Sequence, residues 1–147
     1  MVELSVLDLR GNNFTGSLPP LCAHSTSLST IVLNGNGFEG PVPMSLLNCH
    51  GLEVLDIRNN AINHTFPAWL GTLEELQVLI LKSNKFHGPI SDIPLELEQL
   101  NMLEALDLSW NRLTGRIPQE LTRLTFLAKL NLSQNLLVGS IPRGSQF

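Results

Sequence analysis

The chain has 147 residues, of which 43% are hydrophobic and 15% charged; this composition excludes a disordered polyelectrolyte and fits one core-bearing domain. A net charge of −4 excludes a global attraction to nucleic acid or to an anionic membrane surface. No apolar run approaches the roughly 20 residues a membrane span requires, and residues 1–10 lack the basic start, apolar stretch and small-residue cleavage site of a secretory signal.

Self-similarity organises everything that follows. The first turn opens at Leu4 and reads LxxLxLxxNxL through Leu7, Leu9, Asn12 and Phe14. The pattern reopens at Leu28, with Ile31, Leu33, Asn36 and Phe38, and at Leu52, with Leu55, Ile57, Asn60 and Ile62. It returns at Leu76, with Leu79, Leu81, Asn84 and Phe86, at Leu103, with Leu106, Leu108, Asn111 and Leu113, and at Leu127, with Leu130, Leu132, Asn135 and Leu137. The interval is 24 residues, except for 27 between Leu76 and Leu103, where extra residues around Pro89, Ile90 and Ser91 precede Ile93 and Pro94.

The alternation in LxL predicts a short strand whose leucines point inward while the residues between them face solvent. One turn cannot bury its leucine face alone, so successive strands must stack into a parallel sheet. Where the chain leaves each strand, the amides of Asn12, Asn36, Asn60, Asn84, Asn111 and Asn135 are expected to bond backbone groups that the bend leaves unpaired, a structural role. Beyond them comes LxGxIP or a variant: Gly16 with Leu18 and Pro19, Gly40 with Val42 and Pro43, Gly115 with Ile117 and Pro118, Gly139 with Ile141 and Pro142. The third turn departs, with His64 in the glycine slot before Phe66 and Pro67.

The LxGxIP extension at 24-residue spacing resembles the plant-specific class of leucine-rich repeats, across essentially the whole chain. The segments NCHGLEVLDIRNNAINHTFPAWLGTLEELQVLILKSNKFHGPI and IPQELTRLTFLAKLNLSQNLLVGSIPRGSQF resemble the C-terminal repeats of plant receptor-like proteins of the disease-resistance type. The resemblance implies an α/β solenoid: a right-handed superhelix with a parallel sheet on its concave face and short 3-10 or irregular segments on its convex side. It further implies an extracellular, non-catalytic ectodomain that binds a peptide, an oligosaccharide or a co-receptor kinase in defence or developmental signalling, with no cofactor. A soluble inhibitor of cell-wall hydrolases, of the polygalacturonase-inhibiting type, and a non-functional remnant are the alternatives. Residues 1–147 read as a single domain of six repeats without N- or C-terminal cap, hence as a truncated member, and the long interval suggests a junction near Ser91 left by an internal deletion.

The outward positions are where solenoids recognise ligands. Those of the strands and the asparagine bend are Val6, Asp8, Arg10, Val32, Asn34, Asp56, Arg58, Val78, Ile80, Lys82, Lys85, Asp107, Ser109, Trp110, Arg112, Lys129, Asn131 and Gln134. Six of these are cations and three are carboxylates, so this face is basic on an acidic molecule and favours an acidic peptide or anionic oligosaccharide. Arg10, Asp56, Arg58, Ile80, Lys82, Lys85, Asp107, Trp110, Arg112 and Lys129 are the candidate contact residues. Trp110 is either an anchor for a sugar ring or peptide side chain or a lateral packing partner of Arg112.

Nothing in the sequence assembles a catalytic or metal centre: His24, His50, His64 and His87 have no ligand spacing, and no nucleophile has an evident base. Cys22 and Cys49 stand in different slots of the repeat and read as small core hydrophobes with free thiols. Asn13, Asn63 and Asn131 head N-x-S/T sequons, which matter if the chain is secreted, and a glycan on Asn131 would obstruct the sixth turn.

Overall fold

The computed structural model describes residues 3–24, 27–90, 99–144 and 147. Six three-residue strands form one parallel sheet: β1 (Val6–Asp8), β3 (Thr30–Val32), β5 (Val54–Asp56), β7 (Val78–Ile80), β9 (Ala105–Asp107) and β11 (Lys129–Asn131), ordered β1-β3-β5-β7-β9-β11. Register is set by the inward residue at each strand centre, so that Leu7, Ile31, Leu55, Leu79, Leu106 and Leu130 pair in sequence. A slip of one residue would turn every leucine outward, and this fixes the register.

From the second turn to the fifth, the leucine layers are closed: Ile31, Leu52, Ile57, Leu76, Leu79, Leu81 and Leu103 have no solvent exposure. In the first turn Leu4 is exposed and Leu7 and Leu9 are only partly covered, as are Leu127, Leu130 and Leu132 in the sixth. Each interior layer has a neighbour on both sides, and each outer layer has one.

The asparagine column ties adjacent turns together. Asn60 Nδ2 donates to the carbonyls of Ile57 (3.0 Å) and Arg58 (3.1 Å) in its own turn and of Leu33 (3.1 Å) in the preceding one, while its Oδ1 accepts the Phe38 N–H at 3.1 Å. Asn36, Asn84 and Asn135 repeat this arrangement. Asn111 makes the same bonds, to Leu81 O (3.1 Å) and from Phe86 N–H (3.0 Å), across the longer interval. The three additional residues therefore leave the ladder intact; Ser91, Ile93 and Pro94, on which the proposed junction falls, lie outside the described residues.

Past the asparagine, a second ladder runs along one flank. It comprises β2 (Thr15–Ser17), β4 (Gly37–Gly40) and β6 (Ala61–Ile62) in one sheet, and β8 (His87–Pro89) with β10 (Arg112–Thr114) in another. The break falls at His64. Gly16, Gly40, Gly88, Gly115 and Gly139 share its slot and all adopt left-handed backbone, with φ between 77° and 89°, which His64 does not. Instead its ring enters the ladder, Nδ1 accepting the Val42 N–H at 3.3 Å, and among the described residues an isolated bridge, Thr65 to His87, links the two sheets.

The convex side carries 3-10 helices at Met44–Asn48, Ala68–Thr72 and Gln119–Arg123, each beginning after the proline of its motif, Pro43, Pro67 or Pro118. Proline's fixed φ and missing donor suit a helix start. Cys22 and Cys49 are not free thiols: they form a disulfide, with Cα atoms 5.6 Å apart. Cys22 aligns with Leu46, and Cys49 lies three residues beyond Leu46 in a 3-10 turn, donating its N–H to Leu46 O at 3.0 Å. Because i and i+3 eclipse in that helix, different slots of the repeat reach the same place.

Candidate ligand-binding face

On the concave side the strand register turns the outward residues into columns about 4.8 Å apart from turn to turn. One column runs Val6, Thr30, Val54, Val78, Ala105, Lys129, and the next runs Asp8, Val32, Asp56, Ile80, Asp107, Asn131. A third, just past the strands, runs Arg10, Asn34, Arg58, Lys82, Ser109, Ser133; backbone bonds such as Gly11 N–H to Asn34 O (2.9 Å) and Gly35 N–H to Arg58 O (3.2 Å) keep it in step.

The aspartates of the second column are placed by their own backbone. Asp56 Oδ1 accepts the Arg58 N–H (3.2 Å), Asp107 Oδ1 the Ser109 N–H (3.0 Å) and Asn131 Oδ1 the Ser133 N–H (3.0 Å), all Asx turns. Where arginine stands two residues on, an ion pair follows: Arg10 Nε to Asp8 Oδ2 and Arg58 Nε to Asp56 Oδ2, both at 3.2 Å. Asp56 is buried, and this desolvation raises its pKa against the lowering effect of the Arg58 N–H and the Arg58 and Arg10 charges. In the fifth turn serine replaces arginine, and Ser109 Oγ donates to Asp107 Oδ1 at 2.6 Å. Ser109 is thereby fully buried, not outward-facing as its slot suggests.

The face thus divides. In turns one to four, Arg10, Arg58 and Lys82 share one column, and the pairing of the arginines through Nε leaves their terminal nitrogens unpartnered among the described residues. In turns four to six, a hollow of about 700 Å³ is lined by Val78, Ile80, Ala105, Asp107, Lys129 and Asn131, with Leu106, Ala128 and Leu130 completing the lining.

Of the ten sequence-derived contact residues, Asp56, Arg58, Ile80, Lys82, Asp107 and Lys129 come together on this face, with Arg10 at its N-terminal edge. Lys85 and Arg112 do not: they lead into β8 and β10 on the flank, donating their N–H groups to Ile62 O and Phe86 O, both at 2.8 Å. Trp110 is exposed at the rim, left-handed at φ 57°, and borders a flank hollow of about 350 Å³ with Asn84, Arg112, Gln134 and Leu136. Ala105 was missed because a small residue carries no chemical signal; its alignment with Val54 and Val78 marks it as the floor of a depression. Among the described residues no cluster of three or more His, Cys, Asp or Glu could hold a metal ion, and no helix is long and apolar enough to cross a membrane.

The leucine-rich-repeat family described as "Leucine rich repeat" matches residues 26–86, and a second family of that description matches 3–25 and 102–124. The leucine-rich-repeat ectodomain of the receptor kinase SOBIR1 from Arabidopsis thaliana is similar at 31% identity and a TM-score of 0.80, over 90% of this chain and 72% of that one. The chain belongs to the leucine-rich-repeat proteins, of the plant type. Longer relatives match this leucine-rich-repeat chain equally well. The plant peptide hormone receptor RGFR1, solved with RGF2, has 34% identity and a TM-score of 0.87 over 94% of this chain and 22% of its own. The Arabidopsis receptor kinase HAESA ectodomain, solved with an N-terminally extended IDA peptide hormone, has 36% identity and a TM-score of 0.85 over 92% and 22%. The chain therefore spans less than a quarter of the length of those two relatives. No curated protein matches it.

Proposed function

We propose that this chain is a non-catalytic recognition module that binds an acidic, extended peptide along its concave face, in the manner of a receptor ectodomain outside the cell. The observation that carries the reading is the column Arg10, Arg58 and Lys82, just past consecutive or alternate strands, in which both arginines pair with their aspartates through Nε and no other ion pair engages them among the described residues. Guanidinium nitrogens in a fixed fork match a carboxylate, and a row of them at strand spacing matches carboxylates spaced along an extended chain. Receptors of the same fold that bind peptide hormones support it, as does the Cys22–Cys49 disulfide, a bond that persists in oxidising, extracellular surroundings. Sequons at Asn13 and Asn63 lie at exposed flank positions, away from the concave strands, where glycans would leave this face open.

The test is a titration with a fluorescent decapeptide of alternating Asp and Gly, beside its Lys-Gly counterpart. Saturable binding of the acidic peptide alone, weakening steadily as salt rises and the screening length falls below about 10 Å, is the expected result. Equal binding of both peptides, or binding indifferent to salt, overturns the reading.

A further inference from the structure

The other half of the concave face has a chemistry of its own. Its hollow exists because the first outward column falls from Val78 to Ala105 between two longer side chains, Val78 and Lys129, on the neighbouring strands. Val78 and Ile80 form an apolar wall on one side, and the Leu106 and Leu130 layers lie under the floor. Asp107 stands at the edge. It differs from Asp8 and Asp56, whose carboxylates are each held by the arginine two residues on; Asp107 has Ser109 there, which occupies Oδ1 and brings no positive charge. Asp107 makes no ion pair among the described residues, and Lys129 across the hollow does not reach it. A carboxylate so placed beside an apolar depression is complementary to a cation next to an apolar side chain.

We infer that the hollow over Ala105 is a specificity pocket for an aliphatic side chain of the bound peptide, and that Asp107 selects a basic residue immediately beside it. The inference rests on the concave-face reading above and adds to it a sequence requirement: an acidic segment over turns one to four, and an apolar–basic pair over turns four to six. Strand spacing of about 4.8 Å places Ala105 about 10 Å from the Arg58 turn, the length of about three extended residues. Asn131, which lines the same hollow, heads a sequon, so glycosylation there would close the pocket without touching the arginine column.

The experiment uses the unglycosylated chain and uncharged-backbone probes: acetyl-Gly-Gly-Leu-Arg-Gly-amide, and the same peptide with Leu→Gly or Arg→Gln. Methyl NMR signals of Val78 and Ile80 report on the hollow, with Val6 and Val32 as internal controls on the other half. The Leu-Arg probe is expected to shift Val78 and Ile80 and leave Val6 and Val32 in place. Leu→Gly weakens binding about tenfold, from the lost apolar burial, and Arg→Gln about threefold, the scale of a partly exposed ion pair. Asp107→Asn, which keeps the bonds to Ser109, erases the difference between the Arg and Gln probes; Ala105→Phe fills the hollow and abolishes the shifts. Equal titrations by all three probes, or shifts unaffected by Ala105→Phe, overturn the inference. Because these probes carry no carboxylate, that outcome is independent of the decapeptide titration, whose own failure would remove the acidic-peptide reading instead.

Discussion

Each turn of the molecule has a uniform side and a variable one. On the strand-and-asparagine side the inward pattern recurs in all six turns and the amide bonds between turns recur at Asn36, Asn60, Asn84, Asn111 and Asn135, even across the one long interval, with Asn111 bonding to the Leu81 carbonyl as Asn60 bonds to that of Leu33. On the outer side the turns vary around a shared theme: among the described residues three carry a 3-10 helix after the motif proline, the first holds Cys22 in left-handed backbone, and the third puts a histidine where the others have glycine. The difference shows where the repeat stores its stability. Groups that bridge adjacent turns cannot vary independently, whereas a segment that only closes the loop can adopt any route that returns the chain in register.

That contrast can be broken at its strongest outer exception, the disulfide. It closes a 27-residue separation and links the first two turns from the convex side. Cys22→Ser with Cys49→Ser should cost about 2–4 kcal/mol, read as a lower denaturation midpoint, and reductant should lower the parent to the same value while leaving the variant unchanged. No loss would mean that the uniform side alone holds the first turn.

Asn60→Leu sharpens the same comparison from the inside. It strands the Phe38 N–H and the Leu33, Ile57 and Arg58 carbonyls, at a cost of about 1–3 kcal/mol in a denaturant titration. Hydrogen exchange should quicken at Phe38, one turn away, because the lost acceptor served the preceding turn. If protection changed only within the third turn, the asparagines would not be what couples the array.

The smallest effect is expected at His64. Burial lowers its pKa, with the nearby His87 charge acting in the same sense, and Nδ1 must be unprotonated to accept the Val42 N–H. A depressed folded-state pKa means that the unfolded chain binds the proton more readily. His64 therefore contributes stability above its ordinary value of 6.5, and that contribution is lost as pH falls through 6.5 toward the lowered folded value. His64→Gly should show a shallower loss of thermal stability than the parent on acidification over this range, and should restore the flank ladder's left-handed slot. An identical pH profile would mean that the ring does not act as a neutral acceptor.

The uniform side was legible in the sequence, since a leucine repeating every 24 residues has one physical use, and the strand centres Leu55, Leu79 and Leu106 sit where the pattern puts them. The outer side was less so. Pairing of Cys22 with Cys49 depended on a 3-10 turn after Pro43, a local geometry that column alignment does not encode. Burial of Ser109 followed from its bond to Asp107, and the flank position of Lys85 and Arg112 from a bend whose direction the alternation of residues does not specify. The hollow over Ala105 arises from what is missing at one position, visible only when six turns are laid side by side.

The claim that recognition belongs to the concave face is tested most directly by reversing charge in matched pairs on the two surfaces and measuring affinity for the same acidic decapeptide. Arg58→Glu with Lys82→Glu, on the concave column, should remove binding and its salt dependence, while Lys85→Glu with Arg112→Glu, on the flank, should leave both nearly as they were. Loss of binding in the flank pair with retention in the concave pair would contradict the account.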